Sequence, residues 1–178
     1  AKIMRAVLLA IPLDTDDVVP IGSLRIGLCR THQWAEADDT THAVLEGVAA
    51  ALDAAGAKVC DIELPSDFSN LVDVHQTIMS FEGARNYAFE RIAHGDRLSD
   101  GLNALLKNGA ACSYDTYQKA CVQAETCRRL LDPVFDEVDL LLTPSARGEA
   151  PEGLGATGDP IFSRMWTLLH VPTITIPV

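Results

Sequence analysis

Residues 23–29 read Ser-Leu-Arg-Ile-Gly-Leu-Cys, a short and mostly apolar run that decides how the first half of the chain folds. Such a run is typical of a buried β-strand. Residues 39–56 follow, with Asp39 or Thr40 as the cap and apolar residues at helical spacing, and predict a helix. Residues 57–64 alternate apolar and polar side chains, as a second strand would. A strand, a helix and a strand in this order form a βαβ unit, and we expect its strands to be parallel.

The rest of the chain predicts further helices, a strand and one long loop. Ser99 or Asp100 caps one helix, which we expect to close at Gly109, and Ser113 caps the next. Pro133 is expected to bend or end that helix. The predicted elements are helices over 71–92, 99–109 and 113–133, a buried strand over 138–143, a Gly- and Pro-rich loop over 144–160 and a short helix over 161–170.

The two ends of the chain predict unfinished elements. Residues 2–11 have the pattern of the last turns of a helix, and residues 12–20 form an acidic loop bounded by prolines. Residues 172–177 read Pro-Thr-Ile-Thr-Ile-Pro and predict a strand in which the chain stops. We therefore expect residues 1–178 to be a single α/β region that is truncated at both ends.

The composition is that of a soluble globular domain. The chain has 178 residues, 48% of them hydrophobic and 22% charged, which supports one core and excludes disorder as the main state. Its net charge of −11 argues against a binder of the nucleic-acid backbone, which needs clustered lysine and arginine. No apolar run approaches the roughly 20 residues of a membrane-spanning helix, and we expect no signal peptide. Neither nucleic acid nor a membrane is therefore expected as a partner.

The cysteines and histidines show no ligand or redox pattern. The five cysteines form no CxxC pair, and their odd number is typical of reduced thiols in a cytoplasmic protein. We expect them to be small packing residues. The five histidines form no HxxxH or HExxH pattern, so the sequence predicts no metal site and no cofactor.

Common catalytic and nucleotide-binding motifs are missing. The chain contains no GxSxG, no GxxxxGK[ST] and no GxGxxG after either early strand. A nucleotide-binding half-domain over residues 23–65 would therefore lack its glycine fingerprint. The three glycines of residues 153–158 follow a proline in a loop, and the carboxylates of Asp136, Glu137 and Asp139 fit a solvated helix exit. From spacing alone, the chain is an α/β domain with no assigned chemistry.

From Asp139 onward the sequence carries a specific series of motifs. The series is Asp-Leu-Leu-Leu-Thr-Pro over 139–144, Ala-Pro over 150–151, Gly-Asp over 158–159, Trp-Thr-Leu-Leu over 166–169, Val-Pro over 171–172 and Ile-Pro-Val over 176–178. It resembles the C-terminal half of amidase-signature enzymes, in which a D-x-L-L-T-P strand, an A-P loop, a W-T-L-L-G-x-P helix and a P-x-x-x-x-P strand follow one another. The resemblance implies an α/β region that is part of the mixed-sheet α/β/α amidase-signature fold.

The activity that this resemblance implies is hydrolysis of the C–N bond of a carboxamide. Enzymes of the family use a serine nucleophile, a second serine in a cis peptide and a lysine base within a Gly/Ser-rich signature. No Gly-Gly-Ser-Ser-Gly-type run occurs in this chain, and Lys2, Lys58, Lys107 and Lys119 lie outside that context. The resemblance therefore assigns no catalytic residue here, and we expect the chain alone to hydrolyse no amide.

Two departures from the family pattern concern subtype and local geometry. Glutamine-dependent amidotransferase subunits of the family usually carry an acidic residue in the helix that corresponds to residues 161–170, where this chain has none. The resemblance therefore favours a plain amidase over a tRNA-linked amidotransferase. His170 stands where the family has glycine, although glycine adopts positive φ at lower cost.

Three residues are expected to contact the amide substrate in the intact enzyme. Thr143 ends a strand, and Phe162 and Trp166 lie on the following helix, near the place where open α/β sheets bind ligands. The alternatives are core packing for Phe162 and Trp166, and a hydroxyl bonded to the loop backbone for Thr143. The expected partner is a small-molecule amide, and a homo-oligomer is left open. The alternative function is a non-catalytic α/β binding or regulatory module.

Overall fold

The computed structural model describes residues 19–155 and 157–176. Within these ranges, three strands form one parallel sheet in the order β2-β1-β3. The strands are β1 (Arg25–Leu28), β2 (Lys58–Asp61) and β3 (Leu140–Leu142). The helices are α1 (Asp39–Ala54), α2 (Leu71–Asn86), α3 (Ala88–Ala93), α4 (Asp100–Ala111), α5 (Tyr114–Glu137) and α6 (Ile161–Leu169). The predicted βαβ unit of β1, α1 and β2 is confirmed, and its strands are parallel.

Helices cover both faces of the sheet, which gives an α/β/α arrangement. On one face, Leu28 of β1 packs with Leu45 and Ala49 of α1. On the other face, a larger core joins the ends of the strands to helices α2, α5 and α6. The crossovers from β1 to β2 and from β2 to β3 run in opposite directions along the sheet, and because such crossovers are right-handed, their helices lie on opposite faces.

Gly27 leaves room for the side chains of Ile62 and Leu141 to pack against the centre of the sheet. A Cβ atom at this position would lie 2.6 Å from Cγ1 of Ile62 and 2.8 Å from Cδ2 of Leu141. Carbon atoms do not pack so closely, so a larger residue would displace both side chains. The glycine within the predicted first strand therefore meets a packing requirement of the sheet.

Three helices begin with a side-chain cap. Asp38 accepts a hydrogen bond from the backbone N–H of Thr41 at 2.7 Å, so the cap of α1 precedes the predicted position by one residue. The side chains of Ser99 and Ser113 cap α4 and α5, as predicted. A cap of this kind stabilises a helix by about 1 kcal/mol.

Two of the predicted helix ends are wrong. The long helix expected over 71–92 is broken at Tyr87, whose φ of −100° and ψ of 28° depart from helical values and separate α2 from α3. The helix expected to close at Gly109 continues to Ala111. Gly109 lies inside α4 because this helix packs directly on α2, where a Cβ atom would overlap the carbonyl oxygen of Ser80. The glycine serves close helix packing and does not end the helix.

Pro133 lies inside α5, which continues to Glu137. Proline is unfavourable in a helix interior because it lacks a backbone donor and crowds the preceding turn. Leu131 is buried and Val134 packs against the same core, so apolar contacts on both sides of the proline favour a continuous helix. Pro133 was expected either to bend the helix or to end it, and the prediction that the helix ends there is wrong.

The segment that follows α6 differs from its prediction as a strand. Residues 171–176 have no regular secondary structure, and the side chains of Ile174 and Ile176 are 84% and 64% exposed. A strand requires a neighbour that satisfies its backbone groups, and the described three-stranded sheet does not extend to this segment. The helix predicted over 2–11 and most of the acidic loop over 12–20 lie outside the described residues.

Candidate functional site

The carboxyl ends of the three parallel strands lie at one edge of the sheet, which we call the carboxyl edge. Cys29 follows β1, Ile62 follows β2 and Thr143 follows β3. Trp166 of α6 belongs to the same core as Cys29, with Ile62 packed against it, so α6 lies at this edge. Open α/β sheets bind ligands at the carboxyl ends of strands whose connections run to opposite faces. The carboxyl edge and α6 therefore form the candidate site.

Thr143 is half-buried at the end of β3. Its Oγ1 atom is closed off from solvent and makes no hydrogen bond to any described residue. The alternative of a hydroxyl bonded to the loop backbone is therefore not seen within the described part of the chain. A buried hydroxyl without a partner costs about 1–3 kcal/mol, so a hydrogen-bonding partner at this atom would be favourable. Substrate contact by Thr143 stays a prediction.

Phe162 and Trp166 both lie in the core. Their exposed fractions are 2% and 4%, and Met165 between them is 1% exposed. This placement matches the core-packing alternative, because neither ring presents a face to a bound molecule. The indole Nε1 of Trp166 is buried without a hydrogen-bond partner among the described residues. Substrate contact by either residue stays a prediction, and it would require movement of α6.

Arg147 fastens the loop between β3 and α6 to the start of α1. Its carbonyl oxygen accepts hydrogen bonds from the backbone N–H of Asp38 at 2.7 Å and from Oγ1 of Thr41 at 3.2 Å. Its guanidinium lies 3.0 Å from a carboxylate oxygen of Glu36 and 3.0 Å from one of Asp159. These ion pairs are about half exposed, so the backbone contacts are the firmer part of this attachment.

A groove of about 540 Å³ lies beside the carboxyl ends of β1 and β2. It is lined by Arg30, Thr31, His32, Trp34 and Asp61 to Leu64. Arg30 donates to carboxylates of α1 and β2, and Trp34 stacks on His42 with ring centroids 4.1 Å apart. Thr31 has a φ of 63°, an unfavourable value for a β-branched residue. The sequence gives no sign of this groove, because the residue with left-handed backbone, Thr31, is neither a glycine nor an asparagine.

A second groove, of about 430 Å³, lies between α2, α5 and α6. Arg128 of α5 lines this groove and donates from Nε and Nη2 to the carbonyl oxygen of Leu168, at 3.0 and 2.8 Å. Nη2 of Arg128 also lies 3.0 Å from Nε2 of His170. An arginine can only donate, so this histidine nitrogen accepts. His170 adopts a φ of 61°, which explains why glycine is the expected residue there and shows how this chain holds histidine instead.

The described lysines are poorly placed to act as a buried base. Lys58, Lys107 and Lys119 are all exposed, and Lys119 forms an ion pair with Asp115 at 2.7 Å. The buried serine, Ser80, donates its hydroxyl to the helix carbonyls one turn before it. Among the described residues, no lysine is hydrogen-bonded to a serine.

The cysteines of this chain are all free thiols, and burial raises the pKa of Cys29 and of Cys127. In residues 19–155 and 157–176, no group of three or more ligating side chains could hold a metal ion. Over the same ranges, no helix combines the length and apolar character needed to cross a membrane.

The fold defines an α/β protein with a parallel sheet, and the candidate site lies at the carboxyl ends of its strands. The family model described as Amidase matches residues 16–178, so the chain belongs to the Amidase family. It is 27% identical over 189 residues to a glutamyl-tRNA(Gln) amidotransferase subunit from Synechococcus sp. (strain CC9605), covering 92% of this chain and 38% of that protein. The corresponding protein from strain WH7803 is 27% identical, over 86% of this chain and 36% of that protein.

Solved structures show the same fold. A structure described as a crystal structure of amidase superimposes with a TM-score of 0.79 at 20% identity, over 95% of this chain and 41% of that one. A bacterial aryl acylamidase of the amidase-signature enzymes gives a TM-score of 0.61 at 18% identity, over 82% of this chain and 34% of that one. The predicted resemblance and fold class are confirmed. The chain spans about two-fifths of the length of these relatives.

Proposed function

We propose that this chain is the C-terminal portion of an amidase that hydrolyses the C–N bond of a carboxamide. Membership of the Amidase family over residues 16–178 is the observation that carries this proposal. The relatives are more than twice as long as the matched region, which supports the view that the chain is one part of such an enzyme. The partner is then a small-molecule amide, and the reduced cysteines favour the cytoplasm.

In this proposal the catalytic serines and the lysine base lie outside the chain. Acyl transfer by such a triad requires a serine that is hydrogen-bonded to its activating group. The exposed lysines and the absence of a lysine–serine hydrogen bond within the described residues support this division. The carboxyl edge with Thr143 would then contribute to the wall of the substrate site.

The subtype proposed is a plain amidase. The helix α6 carries no carboxylate, whereas amidotransferase subunits of the family usually have one in the corresponding helix. The two curated relatives bear the amidotransferase name and the two solved structures bear amidase names. The names of these relatives are divided between the two subtypes, so the absence of a carboxylate in α6 is what supports the plain amidase.

The 178-residue chain is expected to show no amide turnover on its own. Without an activated serine and an oxyanion hole, the chemical step loses most of its acceleration. The measurement is product release from small aliphatic and aromatic amides by the purified chain. Turnover that persists through repurification and disappears when one serine of this chain is replaced by alanine would contradict the proposed division of the site.

A further inference from the structure

One edge of the sheet is unprotected. Strand β3 pairs with β1 on one side and, among the described residues, has no strand on its other side. All three of its residues are leucines, and Leu140 is 38% exposed. The strand at the opposite edge, β2, carries Lys58 and Asp61, and charged side chains discourage further pairing of an edge. The edge of β3 is therefore the one suited to receive another strand, and we call it the open edge.

The backbone of Leu141 faces the open edge. The carbonyl oxygen of Leu142 accepts a hydrogen bond from the N–H of Cys29 at 2.9 Å, so the backbone groups of Leu142 face β1. Successive residues of a parallel strand direct their backbone groups to opposite sides, which turns the N–H and C=O of Leu141 away from β1. The described sheet has no strand on that side to pair with them. Such backbone groups favour the addition of a strand.

The face on which α6 lies indicates where a strand after it would go. Helix α6 shares one core with α2 and α5, which belong to the crossover from β2 to β3. Crossovers between parallel strands are right-handed. A further crossover on the same face must therefore advance in the same direction along the sheet, from β2 past β1 and β3. A parallel strand that follows α6 would lie at the open edge.

Residues 172–176, which we call the strap, follow α6 and have the composition of such a strand. They read Pro-Thr-Ile-Thr-Ile, and β-branched residues favour strands. In this structure the strap has no regular secondary structure, and Ile174 and Ile176 are 84% and 64% exposed. Both faces of a parallel sheet are normally covered by other parts of the protein. The relatives are more than twice as long as the matched region, so a protein of their length has further chain to cover the strap.

We propose that the strap closes on the open edge as a fourth, parallel strand when the rest of the enzyme covers it. The order of the sheet is then β2, β1, β3 and the strap. Parallel strands end at the same edge of a sheet, so the strap brings Ile176 to the carboxyl edge beside Thr143 and adds to the wall of the candidate site. The inference rests on the proposed function only in requiring a longer chain.

The test is hydrogen exchange, followed by NMR, in the 178-residue chain and in the complete enzyme encoded by its full reading frame. In the chain alone, the amide of Leu141 should exchange faster than the amides of Leu140 and Leu142, which face β1. In the complete enzyme, the amides of Leu141 and of the strap should slow together by at least roughly tenfold, because they gain hydrogen-bonded partners.

Ile174→Asp tests the part played by the strap. In the chain alone Ile174 is largely exposed, so the variant should unfold at the same temperature as the unmodified chain. In the complete enzyme the same substitution should restore fast exchange at Leu141, because a charge on a covered strand is unfavourable. The matched control is Phe89→Asp on α3, where Phe89 is 69% exposed, and this variant should keep slow exchange at Leu141.

Three results would overturn the proposal. Slow exchange at Leu141 with fast exchange in the strap would show that another part of the enzyme occupies the open edge. Fast exchange at Leu141 in the complete enzyme would show that this edge stays unpaired, and a reading frame that adds no residues to this chain would remove what covers the strap. Amide turnover is measured on the same preparation: a paired strap in a protein without turnover would remove the proposed function and leave this inference standing.

Discussion

Replacing Gly109 by alanine is expected to lower the free energy of unfolding by about 3 kcal/mol, at the upper end of overpacking substitutions. A Cβ atom at this position would overlap the backbone carbonyl of Ser80, and backbone cannot move aside as a flexible side chain can. Helices α4 and α2 would have to separate, which would weaken the burial of Leu106, a residue with no exposed surface. Urea unfolding should show a lower midpoint with an unchanged slope.

Gly101 in the same helix provides the matched control. It is exposed, and a Cβ atom there would meet nothing within 4 Å. Gly101→Ala should leave stability unchanged or raise it by up to about 1 kcal/mol, because alanine is the better helix former. A Gly109→Ala variant that is as stable as Gly101→Ala would show that the two helices do not approach as closely as described.

Replacing Phe162 by alanine is expected to cost about 3–5 kcal/mol of unfolding free energy. The ring is 2% exposed, so its removal loses apolar burial and leaves a cavity. Domain stabilities are about 5–15 kcal/mol, which makes this a large fraction of the total. Thermal and urea unfolding of the purified variant measure the effect.

Phe89→Ala is the control for this substitution. Phe89 is 69% exposed on α3, so its loss should change stability by no more than about 0.5 kcal/mol. If Phe162→Ala were as mild as Phe89→Ala, Phe162 would not be a core residue. That outcome would favour the prediction that its ring contacts substrate.

Much of the fold could be predicted because its signals are local. The alternation in residues 57–64 and the helical spacing in residues 39–56 each lie within one element, and they identified β2 and α1 directly. The two serine caps were found for the same reason, since a cap bonds a backbone group three residues away. The motif at residues 139–144 predicted strand β3. Together with the motifs that follow it, the same stretch indicated the family.

The features that were missed depend on distant parts of the chain. Gly109 reads as a helix end until Ser80, 29 positions earlier, is seen packed against it. The same holds at the candidate site. The ion pair of Asp159 with Arg147 joins two parts of the loop before α6, and no spacing in the sequence indicates it. Thr31 gives no compositional sign that it adopts a positive φ.

The central proposal is that this chain is the C-terminal portion of an amidase, with the catalytic residues encoded before it. The most direct measurement is the sequence of the coding region upstream of Ala1. The account predicts an open reading frame in phase with this chain that encodes a Gly/Ser-rich signature and, some tens of residues earlier, a lysine. An in-phase region that lacks both the signature and the lysine, or a stop codon directly before the chain, would contradict the claim and favour a non-catalytic α/β module.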